Sequence, residues 1–199
     1  DLVTDLYESL SKRGIDLMLY WTGDGPLDDP KAGPAYGYTT QNEPVGQGFV
    51  EKWAATGAEY SRRYGKKVKG WWVDGCYKQI GYDQKKLEIL ARGLRTGNPD
   101  AIIALNRGVE KRVEAYADCE DYTCGEMNAF EDLPDTRFVG GKQWHILSYL
   151  GESPDTPWNG WCRPGCRYDG AYMREYVKRV HSRGGVVTVD VILFRDGHL

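Results

Sequence analysis

The sequence predicts an α/β fold built on parallel strands, and three observations carry that reading. Short apolar, β-branched or aromatic runs alternate with segments of helical periodicity. Glycine or proline closes the helix-like segments, and the strand-like runs end in polar, glycine-containing turns. Strands separated by helices pair in parallel through right-handed crossovers. With 199 residues, 41% of them hydrophobic, the chain is long enough for one sizeable core, so a single domain over 1–199 is expected.

Residues 2–13 read as an amphipathic helix stopped by Gly14, and the chain enters that pattern at once, without an initiator Met, as a fragment or trimmed product would. The apolar run 15–21 follows as a strand. Residues 23–48 are rich in Gly, Pro and Asp and too long for an ordinary connection, which marks an active-site loop. Helical spacing returns over 49–64, with Phe49, Trp53, Ala54, Ala58 and Tyr60 as the stripe to be buried. Residues 68–73 form the next strand, 83–95 a helix closed by Gly97-Asn98-Pro99, and 101–105 a strand ending at Asn106-Arg107-Gly108. After a less regular middle come a strand over 143–149, a helix over 171–182 stopped by Gly184-Gly185, and a β-branched strand over 186–193. That makes five or six strands. An eight-fold barrel needs about 250 residues, so the chain is one or two βα units short of one.

The strand Gly70-Trp71-Trp72-Val73-Asp74-Gly75 is the most informative stretch, because it stops on a carboxylate. Asp is depleted inside strands, and in α/β folds the C-terminal rim of the sheet is where ligands bind. Asp74 is therefore a candidate working acid. The competing reading is that it caps the next helix or closes a turn with Gly75.

Composition excludes several classes. A net charge of −3 with scattered Lys and Arg leaves no basic footprint, so no nucleic-acid partner is expected. No apolar run approaches the roughly 20 residues of a membrane helix, so no membrane partner is expected either. Aromatic residues make up 13% of the chain, and such flat faces suit sugar stacking as well as core packing. Those at strand ends, Tyr20, Trp21 and Trp72, carry the functional weight. Five cysteines stand at 76, 119, 124, 162 and 166. The last four suit local disulfides or free thiols better than a zinc site, because neither spacing is the Cys-x2-Cys knuckle. No metal and no cofactor is called for.

Taken together, these segments resemble the α-L-fucosidases of glycoside hydrolase family 29. Gly70-Trp71-Trp72-Val73-Asp74-Gly75 resembles the strand carrying that family's nucleophilic aspartate. Gly14-Ile15-Asp16-Leu17-Met18-Leu19-Tyr20-Trp21-Thr22-Gly23 is similar to its third barrel strand, with Tyr20 in the place of a sugar-contacting tyrosine. Leu105-Asn106-Arg107-Gly108 is similar to the fifth-strand motif, which makes Arg107 a candidate substrate-binding arginine beside Asn106. Asp121-Tyr122-Thr123-Cys124-Gly125-Glu126 resembles the segment bearing the acid/base glutamate, and residues 176–191 with Asp196-Gly197 resemble the closing helix and strand. The paired histidines of the family's first strands have no counterpart, and Thr188-Val189-Asp190 stands where the family more often has Leu-Asn-Val-Gly.

The resemblance implies the C-terminal part of a (β/α)8 TIM-barrel-like catalytic domain, lacking its first one or two βα units. It implies a retaining exo-glycosidase acting on α-L-fucosides or a related terminal α-linked sugar, on a fucosylated glycan or glycoside, in a secreted or periplasmic setting. Asp74 is the implied nucleophile and Glu126 the acid/base, two carboxyl groups that in retaining enzymes stand about 5–5.5 Å apart. Arg107 is expected to help hold Asp74 ionised, unless it pairs only with Asp121 or Glu126. Tyr20 and Trp144 are expected to offer hydroxyl contact and stacking surface, with core packing the rival role for Trp144. The alternative function is a catalytically impaired carbohydrate-binding barrel protein.

Overall fold

A computed structural model describes residues 1–153 and 159–198. The chain divides into two compact units, one of Asp1–Gly108 with Tyr116–Asp121, the other of Val109–Ala115 with Tyr122–Leu199. Both are built on parallel strands, as the alternation of elements predicts.

The first unit runs α1 (Leu2–Ser11), β1 (Leu17–Thr22), α2 (Ala32–Tyr36), α3 (Gln47–Tyr64), β2 (Val68–Asp74), α4 (Gln84–Leu94) and β3 (Ile102–Leu105). The sheet order is β1-β2-β3, all parallel. Asp1 and Asp83 cap α1 and α4, accepting from the third backbone N–H beyond them, Thr4 and Lys86, at 3.0 and 2.9 Å. Helices α3 and α4 pack closely because Gly93 has no side chain: a Cβ there would lie 2.5 Å from the Ala54 carbonyl oxygen. Their facing sides supply Phe49, Val50, Ala54, Leu87, Leu90 and Leu94 to one core with Trp71, Val73, Ile103 and Leu105 of the sheet. Of the stripe read on 49–64, Phe49, Ala54 and Ala58 are buried and Trp53 partly so, whereas Tyr60 is exposed.

Strand alternation then decides which aromatics face helices and which do not. Trp71 and Val73 lie in the helix-covered core, so Trp72 and Asp74 lie on the opposite face. The register pairs Tyr20 with Trp72 and Thr22 with Asp74. Tyr20, 61% exposed, stacks on Trp72 with ring centroids 5.5 Å apart. Its neighbour Trp21 points the other way, stacked on Trp53 at 4.9 Å and edge-on to Trp71 at 6.2 Å.

In the second unit, β4 (Phe138–Val139) and β5 (Lys142–Gln143) form an antiparallel hairpin that the sequence reading did not anticipate. Gly140 and Gly141 turn it with φ of +56° and +79°, the pair of positive values a tight two-residue hairpin needs. Then come β6 (His145–Tyr149), α5 (Gly170–Ser182) and β7 (Val186–Asp190), with β6 and β7 parallel. The strand expected from 143 starts later because Gln143 completes the hairpin, and the last strand stops at Asp190 rather than at 193. Residues 122–127 run as an irregular strand along β6, through Thr123 N–H to Gln143 O (2.9 Å), Leu147 N–H to Gly125 O (2.8 Å) and Met127 N–H to Leu147 O (2.9 Å). Val113, Met127, Phe130, Trp144, Ile146, Tyr176 and Val180 form this unit's core.

Buried His145 joins three strands of that unit. Its Nδ1 lies 3.1 and 3.0 Å from the carbonyl oxygens of Thr123 and Cys124, and its Nε2 lies 2.7 Å from Thr188 Oγ1. Carbonyls only accept, so Nδ1 carries the proton and Nε2 accepts from the Thr188 hydroxyl. Burial pulls its pKa down to about 4, against the opposing effect of the two carbonyls.

Two outcomes follow for stability. Trp21→Ala should destabilise the protein by about 3 kcal/mol and Tyr20→Ala by about 1 kcal/mol or less, read from urea midpoints; the reverse order would contradict the assignment of faces. His145 has a folded pKa near 4 against an ordinary value of 6.5, so below pH 6.5 the unfolded chain binds the proton first. Its contribution is complete above pH 6.5 and declines by about 3 kcal/mol as pH falls to 4. In His145→Gln that part of the pH dependence should vanish from the urea-derived stability curve, and an unchanged slope would refute it.

Candidate active site

The C-terminal rim of the first unit's sheet is organised around Asp74. The chain turns sharply after it through Gly75, at φ +68°, where a Cβ would lie 2.7 Å from Asp24 Oδ1. Only glycine suits both the backbone and the space. The turn aims the Gly75 N–H at Asp74 Oδ1, 2.8 Å away. Asn106 Nδ2 donates to the same oxygen at 2.8 Å and the Tyr77 hydroxyl at 3.1 Å, while the Tyr20 hydroxyl donates to Oδ2 at 2.7 Å. A half-buried carboxylate is thus fixed in rotation, with Oδ1 held by three donors and Oδ2 by one among the described residues.

Asn106 is itself locked in place. It is 1% exposed, its backbone continues the sheet by donating to Val73 O (2.7 Å), and its carbonyl accepts from Cys76 N–H (3.0 Å). Its side-chain Oδ1 accepts from Gly108 N–H at 2.9 Å, which leaves the NH2 group facing Asp74. The competing reading of Asp74 as a helix cap does not hold, since Asp83 caps α4. Although its ring is largely exposed, desolvation first, and then the hydrogen bond to Asp74, push the pKa of Tyr20 above the ordinary tyrosine value, so its hydroxyl stays protonated as a donor.

The structure distributes the expected site residues unevenly. Tyr20, Trp72, Asp74 and Asn106 meet at one rim, and Arg107 follows Asn106 directly at the same strand end, half-buried. Asp121 is bound by Arg95 at 2.5 Å. Two expected contacts are corrected. Trp21 is engaged in helix packing because strand alternation turns it from Tyr20's face, and Trp144 is fully buried in the second unit's core. Gly185 makes room for Trp144: a Cβ on it would overlap the indole.

Glu126 belongs to the second unit. It is half-buried between buried Gly125 and Met127, and its carbonyl accepts from Glu110 N–H at 2.8 Å. Met127 packs into the core, so alternation directs the Glu126 side chain away from it. Gly125 takes φ +62° with the His145 carbonyl pressed against its Cα, which lets the segment lie flush on β6.

Sequence reasoning missed Tyr77 and Asp24. Tyr77 lies three residues beyond Asp74, in the turn that a strand-ending acid requires, and that position was its only signal. Asp24 accepts from Thr22 Oγ1 at 2.5 Å and from Gln41 Nε2 at 2.7 Å, which ties the long loop after β1 to the rim. All five cysteines are free thiols, the second of the two states expected for the last four. Among the described residues no group of three or more His, Cys, Asp or Glu gathers as a metal site, and no helix is long and apolar enough to cross a membrane.

No protein-family model matches this chain, and no curated protein matches it. Its fold does match solved structures. An endo-fucoidan hydrolase of glycoside hydrolase family 107 superposes with a TM-score of 0.68 at 16% identity, over 96% of this chain and 36% of that one. A bacterial fucosidase bound to a dihydroxy-methylpyrrolidine triazole inhibitor gives 0.62 at 16% identity, over 96% and 43%. A family 29 α-L-fucosidase from Bacteroides thetaiotaomicron gives 0.61 at 16% identity, over 96% and 43%, and a trapped covalent intermediate of a family 29 α-L-fucosidase from that organism with 2-fluoro-fucosyl fluoride gives 0.61 at 16% identity, over 96% and 44%. The chain spans about two fifths of the length of these proteins. It is an α/β chain with parallel sheets and shares its architecture with glycoside hydrolases that act on fucosides.

Proposed function

We propose that this chain is part of a TIM-barrel-like retaining glycoside hydrolase that cleaves α-L-fucosides through a glycosyl-enzyme intermediate on Asp74. The observation that carries the reading is the convergence of four donors on a carboxylate at the C-terminal end of a parallel strand. Rotation is frozen through Oδ1, and Oδ2, bonded to a single hydroxyl among the described residues, is the oxygen that attacks. Pre-positioning a nucleophile in this way removes part of the entropic barrier to attack. Exposed Tyr20, stacked on half-buried Trp72 beside it, provides an aromatic face against which a sugar ring can pack.

In the first step Asp74 Oδ2 forms a bond to the anomeric carbon as the bond to the leaving oxygen breaks, and an acid group gives that oxygen its proton, the role that the family resemblance assigns to Glu126. In the second, Glu126 as carboxylate takes a proton from water, the water oxygen bonds to the anomeric carbon, and Asp74 leaves as carboxylate. The Tyr20 hydroxyl donates to Asp74 Oδ2 in the free enzyme and stabilises the returning charge on release. Arg107 is the polar contact for the sugar, while Asn106, buried and engaged with Gly108 and Asp74, serves by holding Asp74.

A second reading has one observation in its favour. Family 107 endo-fucoidan hydrolases match this fold as the fucosidases do, which puts cleavage inside a fucose polymer beside cleavage at a chain end. Product sizes separate the two: free fucose from one, oligosaccharides from the other.

In the full-length protein, Asp74→Gly should lower kcat on a nitrophenyl α-L-fucoside by at least about a thousandfold with an unchanged circular dichroism spectrum, and azide should restore turnover as a fucosyl azide. Retention of activity within tenfold would exclude Asp74 as nucleophile. Sugar binding without turnover in the unmodified protein would leave the carbohydrate-binding alternative standing.

A further inference from the structure

We propose that Arg167 is a positioning residue for Glu126, an inference that rests on Glu126 being the acid/base group. Arg167 lies in the turn before α5, with its own N–H donated to Leu150 O at 2.9 Å. Its guanidinium stacks over the Tyr149 ring at 3.6 Å and near the Tyr168 ring at 4.8 Å. From that sandwich it donates from Nε to Tyr149 O (3.0 Å), and from Nη2 to Asn128 O (2.6 Å) and to Ser148 Oγ (3.0 Å).

These acceptors lie at the ends of two neighbouring strands. Ser148 and Tyr149 close β6, and Asn128 stands two residues beyond Glu126, just past the point where Met127 N–H makes its bond to Leu147 O. The guanidinium therefore takes over where the backbone ladder stops, and ties the chain leaving Glu126 to the end of β6. Arginine is required for this. A planar fork donates in two directions while its faces stack on rings, and an ammonium group does neither at once. With Gly125 pressed on His145 upstream and Asn128 clamped downstream, the backbone on both sides of Glu126 is fixed. The carboxyl group then has only its own torsions left to vary.

The prediction is selective loss. A misplaced acid harms substrates whose leaving group needs a proton and spares those that leave unaided. In the full-length protein, Arg167→Ala should lower kcat/KM for methyl α-L-fucoside by about 30–100-fold but for fucosyl fluoride by less than about threefold. Guanidinium ion at tens of millimolar should recover part of the methyl fucoside activity. Arg167→Lys, which keeps charge and stem, should show the same selectivity and serves if the alanine variant does not fold. Equal losses on both substrates would mean a merely structural role and overturn the proposal. Glu126→Ala measured alongside separates the two levels. If Glu126→Ala is selective and neither Arg167 variant is, only the positioning role falls; if Glu126→Ala is not selective, the acid/base reading falls and takes this one with it.

Discussion

The carboxylate of Asp74 can sit half-buried at the tip of β2 only because the fold delivers its hydrogen bonds. Removing an ion from water is costly unless donors replace the lost solvent, and charge-assisted bonds to neutral donors do so without adding a counter-charge. Here each donor comes from a different feature of the sheet rim: the glycine turn after β2, the buried Asn106 continuing β3, Tyr77 in the following turn, and Tyr20 on β1. The parallel register that pairs Thr22 with Asp74 is what brings Tyr20 alongside. The packing of α3 and α4 on the other face holds that register, through cores that claim Trp21 and Trp71.

Much of the first unit is legible in the sequence because its signals agree. Residues 68–73 are β-branched and aromatic, glycine ends them, and helical periodicity flanks them on both sides, so strand and acid are found together. The assignment of faces is less legible. Tyr20, Trp21, Trp71 and Trp72 all look alike as aromatics near strand ends, and only the partners on α3 reveal that Trp21 is core. Asn106 reads as half of an Asn-Arg motif, but its service to Asp74 depends on a pairing across 32 residues that no local pattern carries.

The second unit is harder to read for a physical reason. Its irregular strand over 122–127 contains Gly125 and Glu126, both poor β-formers, and forms because β6 offers it a ladder and because Gly125 tolerates contact with His145. Glu126 was therefore reachable through family resemblance alone. Trp144 shows the converse: of the two roles open to it, ligand surface and core, it takes the second because Gly185 leaves room for the indole. Tertiary context, not propensity, decides both cases.

The central claim is that Asp74 forms a covalent bond to the sugar, and trapping tests it most directly. Incubation of the full-length protein with 2-fluoro-fucosyl fluoride, followed by proteolysis and mass mapping, should place one fluorofucosyl adduct on the peptide containing Asp74. An adduct on another carboxylate, or steady fucoside hydrolysis with no adduct on any residue, would contradict it.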